Sequence, residues 1–213
     1  MVEIIRSRKL AYVPVRKVGN TSIRSALDQL ATGPGDHVST WDIPMSPYIR
    51  FRARGCFKFT VVRDPVRRFL SAHGNRVLHY GETDTYLIDR LLLRALGLPR
   101  RPGIEEFCRH YRAYNLLNDR IRRHFRPQGV YLGRDLGWFD KIYRLEALDE
   151  LAADLSELAG RQIEIPRLQT GGPKVDFAAL DPKTQRLILR YTASDYQLLH
   201  DHYSPPGSRA NHR

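Results

Sequence analysis

Short apolar blocks alternate with amphipathic stretches along this chain. The blocks LAYVPV (10–15) and FKFTVV (57–62) are continuous apolar runs bounded by polar residues, a pattern typical of buried strands. A polar loop follows each block, and apolar residues then recur every three or four positions, as at Ile23, Leu27 and Leu30. The pattern therefore predicts a strand, loop and helix unit that occurs twice.

Residue types at the loop ends indicate where the helices begin. Asp64 followed by Pro65 places an N-cap before a proline at the first helical position. Thr21 or Ser22 is expected to cap the earlier helix. Further strands are predicted at VYLG and KIYRLE within 130–146, and further helices over 82–125 (broken by GLPRRPG), 148–158 and 182–199.

Alternation of strands and helices favours an α/β fold, with an open, mainly parallel sheet flanked by helices on both faces. Ligands of such sheets bind beyond the carboxyl ends of the strands, where both polar loops lie. We expect a single domain over residues 1–203 and a disordered tail over 204–213. The stretch from 31 to 55 is rich in Gly, Pro and turn formers and is expected to be irregular.

Length and composition limit the classes of protein that this chain can be. It has 213 residues with 42% hydrophobic content, and no apolar run approaches the roughly 20 residues that span a bilayer. Charged residues interrupt the N-terminus where a secretory signal would be apolar, so a cytoplasmic protein without a membrane span is expected. Cys56 and Cys108 make neither a disulfide framework nor a zinc motif, and both are expected to be reduced thiols.

Positive charge is concentrated in the N-terminal part of the chain. The formal net charge is +12, and residues 1–80 contain 14 Lys or Arg against 5 Asp or Glu. Such an excess indicates an anionic partner. Arginines outnumber lysines strongly, however, and genome composition explains that equally well.

The first polar loop lies within VRKVGNTSIRSAL and joins the first predicted strand to its helix. A helix N-terminus offers unpaired amides and partial positive charge, which suit an anion. Gly19 permits close approach of the backbone, Thr21 and Ser22 supply hydroxyls, and Lys17 adds a full charge. The alternative is an ordinary N-cap beside a solvated lysine. The loop lacks the GxxxxGK[ST] pattern of nucleotide triphosphate P-loops, which counts against kinases.

The second polar loop adds Arg63, which follows the carboxyl end of the second predicted strand. The first loop follows the first predicted strand at the same end. Ser71 follows on the next helix, about 10 Å along the axis and on the same face as the helix start. An arginine and a hydroxyl that converge on one oxyanion would form a phosphate clamp. The alternative is a surface arginine and an unrelated helical serine.

Together the two loops resemble a known family. VRKVGNTSIRSAL is similar to the 5′-phosphosulfate loop, and FTVVRDPVRRFLSAHGNR to the 3′-phosphate motif, of sulfotransferases that use 3′-phosphoadenosine 5′-phosphosulfate (PAPS). HFRPQ, YRLEALDEL and SDYQLLHDHY resemble later family segments, so the resemblance spans most of the chain. The nearest branch is sulfotransferase family 2, which includes carbohydrate sulfotransferases and many bacterial relatives, and we expect a bacterial source.

The resemblance implies a P-loop-like fold and metal-free transfer of a sulfuryl group to a hydroxyl or amine of a carbohydrate or small molecule. The product nucleotide would be 3′,5′-bisphosphoadenosine. Matching positions put Lys17 and the amides of Val18, Gly19, Asn20, Thr21 and Ser22 on the 5′ phosphate and sulfuryl group, and Arg63 and Ser71 on the 3′ phosphate. Lys17 would also stabilise the leaving group. Arg16 stands where the family loop commonly has proline.

A general base must accept the proton of the acceptor hydroxyl. His37 lies in the region where relatives place a catalytic histidine and is the first candidate; an ordinary loop histidine is the alternative. Asp36 and Asp42 are the next candidates. His73 and His79 are interpreted as packing residues.

Acceptor recognition is less defined. Trp41, Tyr48, Phe51 and the arginines at 50, 52 and 54 either line a site for an aromatic or acidic molecule or belong to a solvated loop. Gly171, Gly172 and Lys174 are loosely similar to a late family loop that closes over the nucleotide.

Two other functions remain alternatives: a P-loop nucleotide phosphotransferase, and a non-enzymatic nucleic-acid-binding protein suggested by charge alone. The first lacks the Walker residues, and the second lacks a recognisable motif, so no nucleic-acid partner is expected. Whether the chain forms a homo-oligomer stays open.

Overall fold

A computed structural model describes residues 2–40, 45–166, 168 and 171–208. Its strands are β1 (Glu3–Ile5), β2 (Leu10–Val13), β3 (His37–Ser39), β4 (Phe57–Val62) and β5 (Lys141–Arg144). Its α-helices are α1 (Asn20–Asp28), α2 (Pro47–Arg52), α3 (Pro65–Ala72), α4 (Leu87–Ala95), α5 (Ile104–Arg109), α6 (Tyr111–Leu117), α7 (Asp119–Phe125), α8 (Gln128–Leu132), α9 (Leu148–Ala159) and α10 (Pro182–Leu198). A π-helix spans His73–His79, and short 3₁₀ turns cover Glu82–Asp84, Leu136–Trp138, Leu145–Ala147 and Phe177–Ala179.

The strands form one sheet in the order β3, β1, β2, β4, β5. β2 pairs with β4 in parallel, with Val13 opposite Thr60, and β4 pairs with β5 in parallel. β1 runs antiparallel to both β2 and β3. The predicted α/β class is confirmed, and the parallel half of the sheet contains both strands that lead into the polar loops. The pattern did not predict the antiparallel edge, because β1 and β3 are each only three residues long.

Residues 1–63 and 128–170 form one compact unit, which contains the sheet. Its core includes three aromatic side chains that contact one another in series on neighbouring parallel strands. The rings of Tyr12 and Phe59 lie 5.0 Å apart, and Phe59 meets the edge of Tyr143 at 5.7 Å. Tyr12 and Phe59 are register partners, so strand pairing itself brings these two rings together. Against this core α1 buries its apolar face, including Ile23 and Leu27.

Residues 64–127 and 171–213 form a second compact unit, and the described part of it is helical. Its core is aromatic: the ring of Phe69 lies 5.0 Å from that of Phe125, which lies 4.8 Å from Phe107. The buried guanidinium of Arg68 lies 3.4 Å from the buried carboxylate of Asp195 and donates to two carbonyl groups. These partners compensate the desolvation of the charged group.

Several predicted elements are confirmed, and two predictions are wrong. FKFTVV is β4 with the predicted bounds, and Asp64 caps α3 by accepting from the Arg67 amide at 2.8 Å. VYLG is not a strand, because residues 128–132 form α8. A run of four residues is too short for its periodicity to separate helix from strand. The stretch expected to be irregular contains β3 and α2.

The chain passes between the two units after residues 63, 127 and 170. The single domain over 1–203 therefore stays a prediction. The end of the predicted tail, 209–213, lies outside the described residues. Among the helices that the structure describes, none combines the length and apolar character needed to cross a bilayer.

Candidate functional site

The loop between β2 and α1 has an unusual backbone path. Gly19 has a φ of 81° and Lys17 a φ of 71°, both in the left-handed region. A side chain at such a φ costs about 1–2 kcal/mol, so the surrounding contacts must hold Lys17 in place. Gly19 is the N-cap of α1 and provides no side-chain cap, which leaves the first-turn amides to other partners. The prediction that Thr21 or Ser22 caps this helix is wrong, since both lie inside it.

Asn20 fixes the loop to the strand before it. The Tyr12 hydroxyl donates to Asn20 Oδ1 at 2.7 Å, and Asn20 Nδ2 donates to the Val15 carbonyl at 2.8 Å. Burial raises the pKa of Tyr12, so its hydroxyl stays a proton donor. Val18 is fully buried and anchors the middle of the loop. These contacts give the loop one defined conformation, and Val18 and Asn20 can offer a ligand mainly their backbone.

Arg63 lies beside this loop because β2 and β4 are parallel neighbours whose carboxyl ends meet at one edge. Its Nη1 donates to the Lys17 carbonyl at 3.2 Å. Gln128, at the start of α8, brackets the Arg63 main chain: Arg63 N donates to Gln128 Oε1 at 3.2 Å, and Gln128 Nε2 donates to Arg63 O at 2.9 Å. The structure thus brings together Lys17 and Arg63, which were predicted from separate loops.

Sequence reasoning did not identify Gln128 as part of this arrangement. Its side chain is completely buried, and it holds Arg63 from a segment 65 residues later in the chain. The only sequence signal was the family-like stretch HFRPQ, which ends at Gln128.

The two hydroxyls of the loop have different surroundings. Thr21 is exposed and is accessible to a ligand. Ser22 is buried, and its Oγ accepts a hydrogen bond from the Leu168 amide at 3.3 Å. Ser22 therefore supports a neighbouring backbone segment, whereas Thr21 keeps its hydroxyl at the surface.

His37 lies away from the loop. In β3 it is the register partner of Ile5, which in turn pairs with Leu10 at the start of β2, whereas the loop follows the end of β2. Its Nδ1 lies 2.5 Å from the carboxylate of Asp28, at the last residue of α1, and its Nε2 lies 3.2 Å from that of Glu3. This geometry gives His37 a structural role between two carboxylates. Its assignment as general base is not supported by the position.

The other candidate bases are also unfavourably placed or undescribed. The carboxylate of Asp36 accepts hydrogen bonds from Ser7 and Thr32, which hold its pKa well below the usual range. Such a carboxylate is a weak base. Asp42 and Trp41 lie outside the described residues.

The second unit contains the remaining predicted positions. Ser71 is half-buried in α3 and makes no side-chain hydrogen bond to another described residue. Its cooperation with Arg63 stays a prediction. The helix around it is firmly held, since Asp64 also accepts from the Tyr196 hydroxyl at 2.8 Å.

Gly171 and Gly172 lie against the π-helix of the second unit. The Gly171 carbonyl accepts from Asn75 Nδ2 at 3.3 Å. Gly172 has a φ of 103°, and a Cβ there would lie 2.6 Å from the Gly74 carbonyl oxygen. Glycine is therefore required at Gly172 by close packing, while Lys174 is exposed.

Among the described residues, no group of three or more His, Cys, Asp or Glu side chains is arranged to hold a metal ion. The metal-free reaction stays a prediction.

One of the comparisons with known proteins gave a match. A family model described as "Sulfotransferase family" matches residues 3–204. Neither the curated proteins nor the solved structures gave a match. The matched span covers both polar loops and nearly all of the chain, and the chain therefore belongs to the sulfotransferase family.

Proposed function

We propose that this sulfotransferase takes its sulfuryl group from PAPS and transfers it to a hydroxyl or amine of a carbohydrate or small-molecule acceptor. The observation that carries the proposal is the loop from 14 to 19, which ends at the uncapped start of α1 with Arg63 hydrogen-bonded to its Lys17 carbonyl. The backbone amides at the start of α1 suit one anionic group of a nucleotide, and the neighbouring Arg63 guanidinium suits a second anionic group. PAPS supplies the activated sulfuryl group.

The residues of the loop would divide the work as follows. The amides from Val18 to Ser22 would bind the 5′ phosphate and the sulfuryl oxygens at the positive end of α1. The exposed Thr21 hydroxyl would add a donor. The Lys17 ammonium would stabilise the negative charge that develops on the departing oxygen, and a preorganised backbone increases that effect.

Arg63 would bind the 3′ phosphate, with Ser71 as the predicted second donor. Because Arg63 Nη1 also holds the Lys17 carbonyl, one side chain would link the nucleotide phosphate to the position of the catalytic lysine. Gln128 would act as a positioning residue through the Arg63 backbone.

The acceptor must lose a proton during transfer, and its base is left unassigned. His37 and Asp36 lie in contacts that do not suit the role. The acceptor class rests on the family resemblance.

Calorimetry tests the donor directly. We expect 3′,5′-bisphosphoadenosine to bind most tightly, ATP to bind much more weakly, and a generic oligonucleotide to bind only at low salt. Preference for ATP would support a phosphotransferase. Tight, salt-resistant oligonucleotide binding would support a nucleic-acid-binding protein.

A further inference from the structure

A second basic surface lies in the unit that contains the sheet, where β2 and β4 begin. A cavity of about 460 Å³ opens there, and its lining includes Arg6, Lys9, Phe51, Arg52, Arg54 and Cys56. We call it the basic hollow. No carboxylate lines it among the described residues, so four cations share one concave surface.

The four cations of the hollow lack compensating charge. None of Arg6, Lys9, Arg52 and Arg54 makes an ion pair or a side-chain hydrogen bond within the part of the chain that the structure describes. Arg50, only two residues before Arg52, behaves differently: it lies 3.3 Å from the Asp135 carboxylate and over the ring of Trp138. Like charges that face one cavity repel, and a bound anion would relieve that repulsion.

The carboxylate of Asp36, whose backbone contacts Arg6, is already hydrogen-bonded to other residues. The backbone carbonyl of Asp36 accepts a hydrogen bond from the Arg6 amide, but its carboxylate accepts hydrogen bonds from Ser7 and Thr32. Lys58, two residues after Cys56, forms an ion pair with Asp140 at 2.6 Å and does not line the hollow. The hollow therefore keeps its positive charge for an external partner.

The backbone at Lys9 holds part of the hollow in a fixed shape. Lys9 has a φ of 47°, and together with Lys17 it is one of the two described residues other than glycine with a positive φ. Its amide donates to the Arg6 carbonyl at 3.2 Å, and its carbonyl accepts from the Phe57 amide at 2.7 Å. The strained turn is thus tied to the start of β4. Strained positions of this kind concentrate at binding sites.

Phe51 adds an apolar surface to the lining. Its side chain is 71% exposed, so the ring is accessible to a ligand. An exposed aromatic face beside guanidinium groups suits a ligand that combines a ring with anionic groups. The volume also falls in the range of small-molecule sites.

We propose that the basic hollow is a second binding site, for ring-bearing molecules with two or more phosphate or sulfate groups. Arginines would bind the anionic groups, and Phe51 would contact the ring. A phosphorylated sugar and a nucleotide share this chemistry, and the experiment below separates them.

The hollow is separate from the nucleotide loop. It lies where β2 begins, and the loop lies where β2 ends; from Lys9 to Val15 the extended chain covers roughly 20 Å. A ligand in the hollow would not reach Lys17. The proposal therefore stands independently of the PAPS proposal.

Cys56 provides a direct readout of occupancy. It lines the hollow and is half-buried, whereas Cys108 is completely buried and serves as an internal control. Burial raises the pKa of Cys56, so alkylation is measured at alkaline pH. We expect fructose 1,6-bisphosphate to slow Cys56 alkylation at least about fivefold, because bound anion blocks access and neutralises the nearby cations. Free fructose and sodium chloride of equal ionic strength should give no protection.

Matched variants locate the effect. The double variant Arg52→Gln with Arg54→Gln should lower the affinity of the protecting ligand by about tenfold or more. Arg50→Gln, which removes a paired arginine of the same helix, should keep the protection. Arg63→Ala should also keep it, which separates the hollow from the loop. Each ratio is taken against the same variant without ligand.

ADP in place of the sugar bisphosphate distinguishes the two ligand sources: equal or better protection by ADP assigns the hollow to nucleotides, and protection by the sugar alone assigns it to phosphorylated sugars. If neither ligand slows Cys56 alkylation in the unmodified protein, the proposal is overturned. The proposal would also be overturned if Arg50→Gln or Arg63→Ala removed the protection as fully as the double variant does.

Discussion

At the scale of single residues, Lys17 combines a strained backbone with a proposed catalytic charge. Its φ of 71° suits glycine better than lysine, so the lysine side chain is retained against a local conformational penalty. Lys17→Gly removes the charge while keeping a compatible backbone. We expect stability to change by less than about 1 kcal/mol. Turnover should fall by about 10² to 10³, the usual effect of losing an oxyanion donor.

Kinetics at varied nucleotide concentration, with urea denaturation, test this prediction. Lys17→Arg should recover only part of the turnover, because a planar guanidinium differs from a compact ammonium. A loss that lay entirely in nucleotide affinity would show that Lys17 only binds.

Arg63→Ala should weaken 3′,5′-bisphosphoadenosine by at least about tenfold, since a charge-assisted phosphate contact is lost. Adenosine 5′-phosphosulfate, which lacks the 3′ phosphate, should lose much less, and the difference is measured by calorimetry. The residual loss would report the missing Arg63 contact to the Lys17 carbonyl. Arg112→Ala, at an exposed position of α6, is the control and should bind both ligands normally. Equal losses for both ligands in Arg63→Ala would remove it from the 3′ site.

His37→Ala tests a structural role against a catalytic one. The imidazole lies between Glu3, which is only 1% exposed and pairs with Arg24 at 2.7 Å, and Asp28. Losing a partner of a buried carboxylate should cost about 1–3 kcal/mol of unfolding free energy. Turnover should stay within a few-fold of the unmodified protein. A loss of about 10² or more at normal stability would instead restore His37 as the general base.

At the scale of elements, the approach of the Gly171 and Gly172 segment to the π-helix is testable. Gly172→Ala places a Cβ 2.6 Å from the Gly74 carbonyl oxygen at a φ of 103°. Both the clash and the strain should lower the unfolding free energy, by about 2–4 kcal/mol together. Gly207→Ala is a matched control in the same unit, with a φ of 83° and nothing within 4 Å of the new Cβ. It should show only the smaller strain effect, and similar losses for the two variants in urea denaturation would contradict the close packing.

Elements with a clear local signal were predictable from the sequence. β4 has the predicted bounds and α3 the predicted start, because a continuous apolar run is followed by Asp64 and Pro65. β1, β3, α2 and α8 were missed or misassigned. β1, β3 and α8 have five residues or fewer, which is less than the pattern needs to distinguish helix from strand, and the six-residue α2 lies within the stretch rich in Gly, Pro and turn formers.

At the scale of the whole molecule, His73 predicts how stability depends on pH. It is fully buried, with Nε2 3.0 Å from the Pro102 carbonyl, and burial lowers its pKa to about 4 from 6.5. The unfolded chain therefore binds this proton more readily than the folded protein. Neutral His73 makes its full contribution to the unfolding free energy above pH 6.5. As the pH falls from 6.5 to 4, the unfolding free energy decreases by up to about 3 kcal/mol.

Urea denaturation between pH 7 and 4.5 measures this slope. His73→Phe should be less stable at pH 7, because Pro102 loses its donor, but its stability should depend less on pH in this window. His200→Gln, at an exposed position, should keep the original slope. A slope unchanged in His73→Phe would assign the acid sensitivity to other groups; the carboxylates with lowered pKa act at lower pH.

The sequence by itself determined the family, the α/β class and the two loops, because these depend on local patterns of apolar runs, turn residues and motif order. It placed Lys17 and Arg63 at strand ends, and parallel pairing of β2 and β4 then brought them together.

Only the tertiary structure decided which side chains serve the loop and which serve packing. The side chains of Asn20 and Ser22 contact Tyr12 and the Leu168 amide, which leaves their backbone amides for a ligand, and His37 lies at the far end of α1. Gln128 reaches Arg63 across 65 positions of sequence. Such contacts depend on strand order and register, which are set by long-range packing, and no local spacing in the chain encodes them.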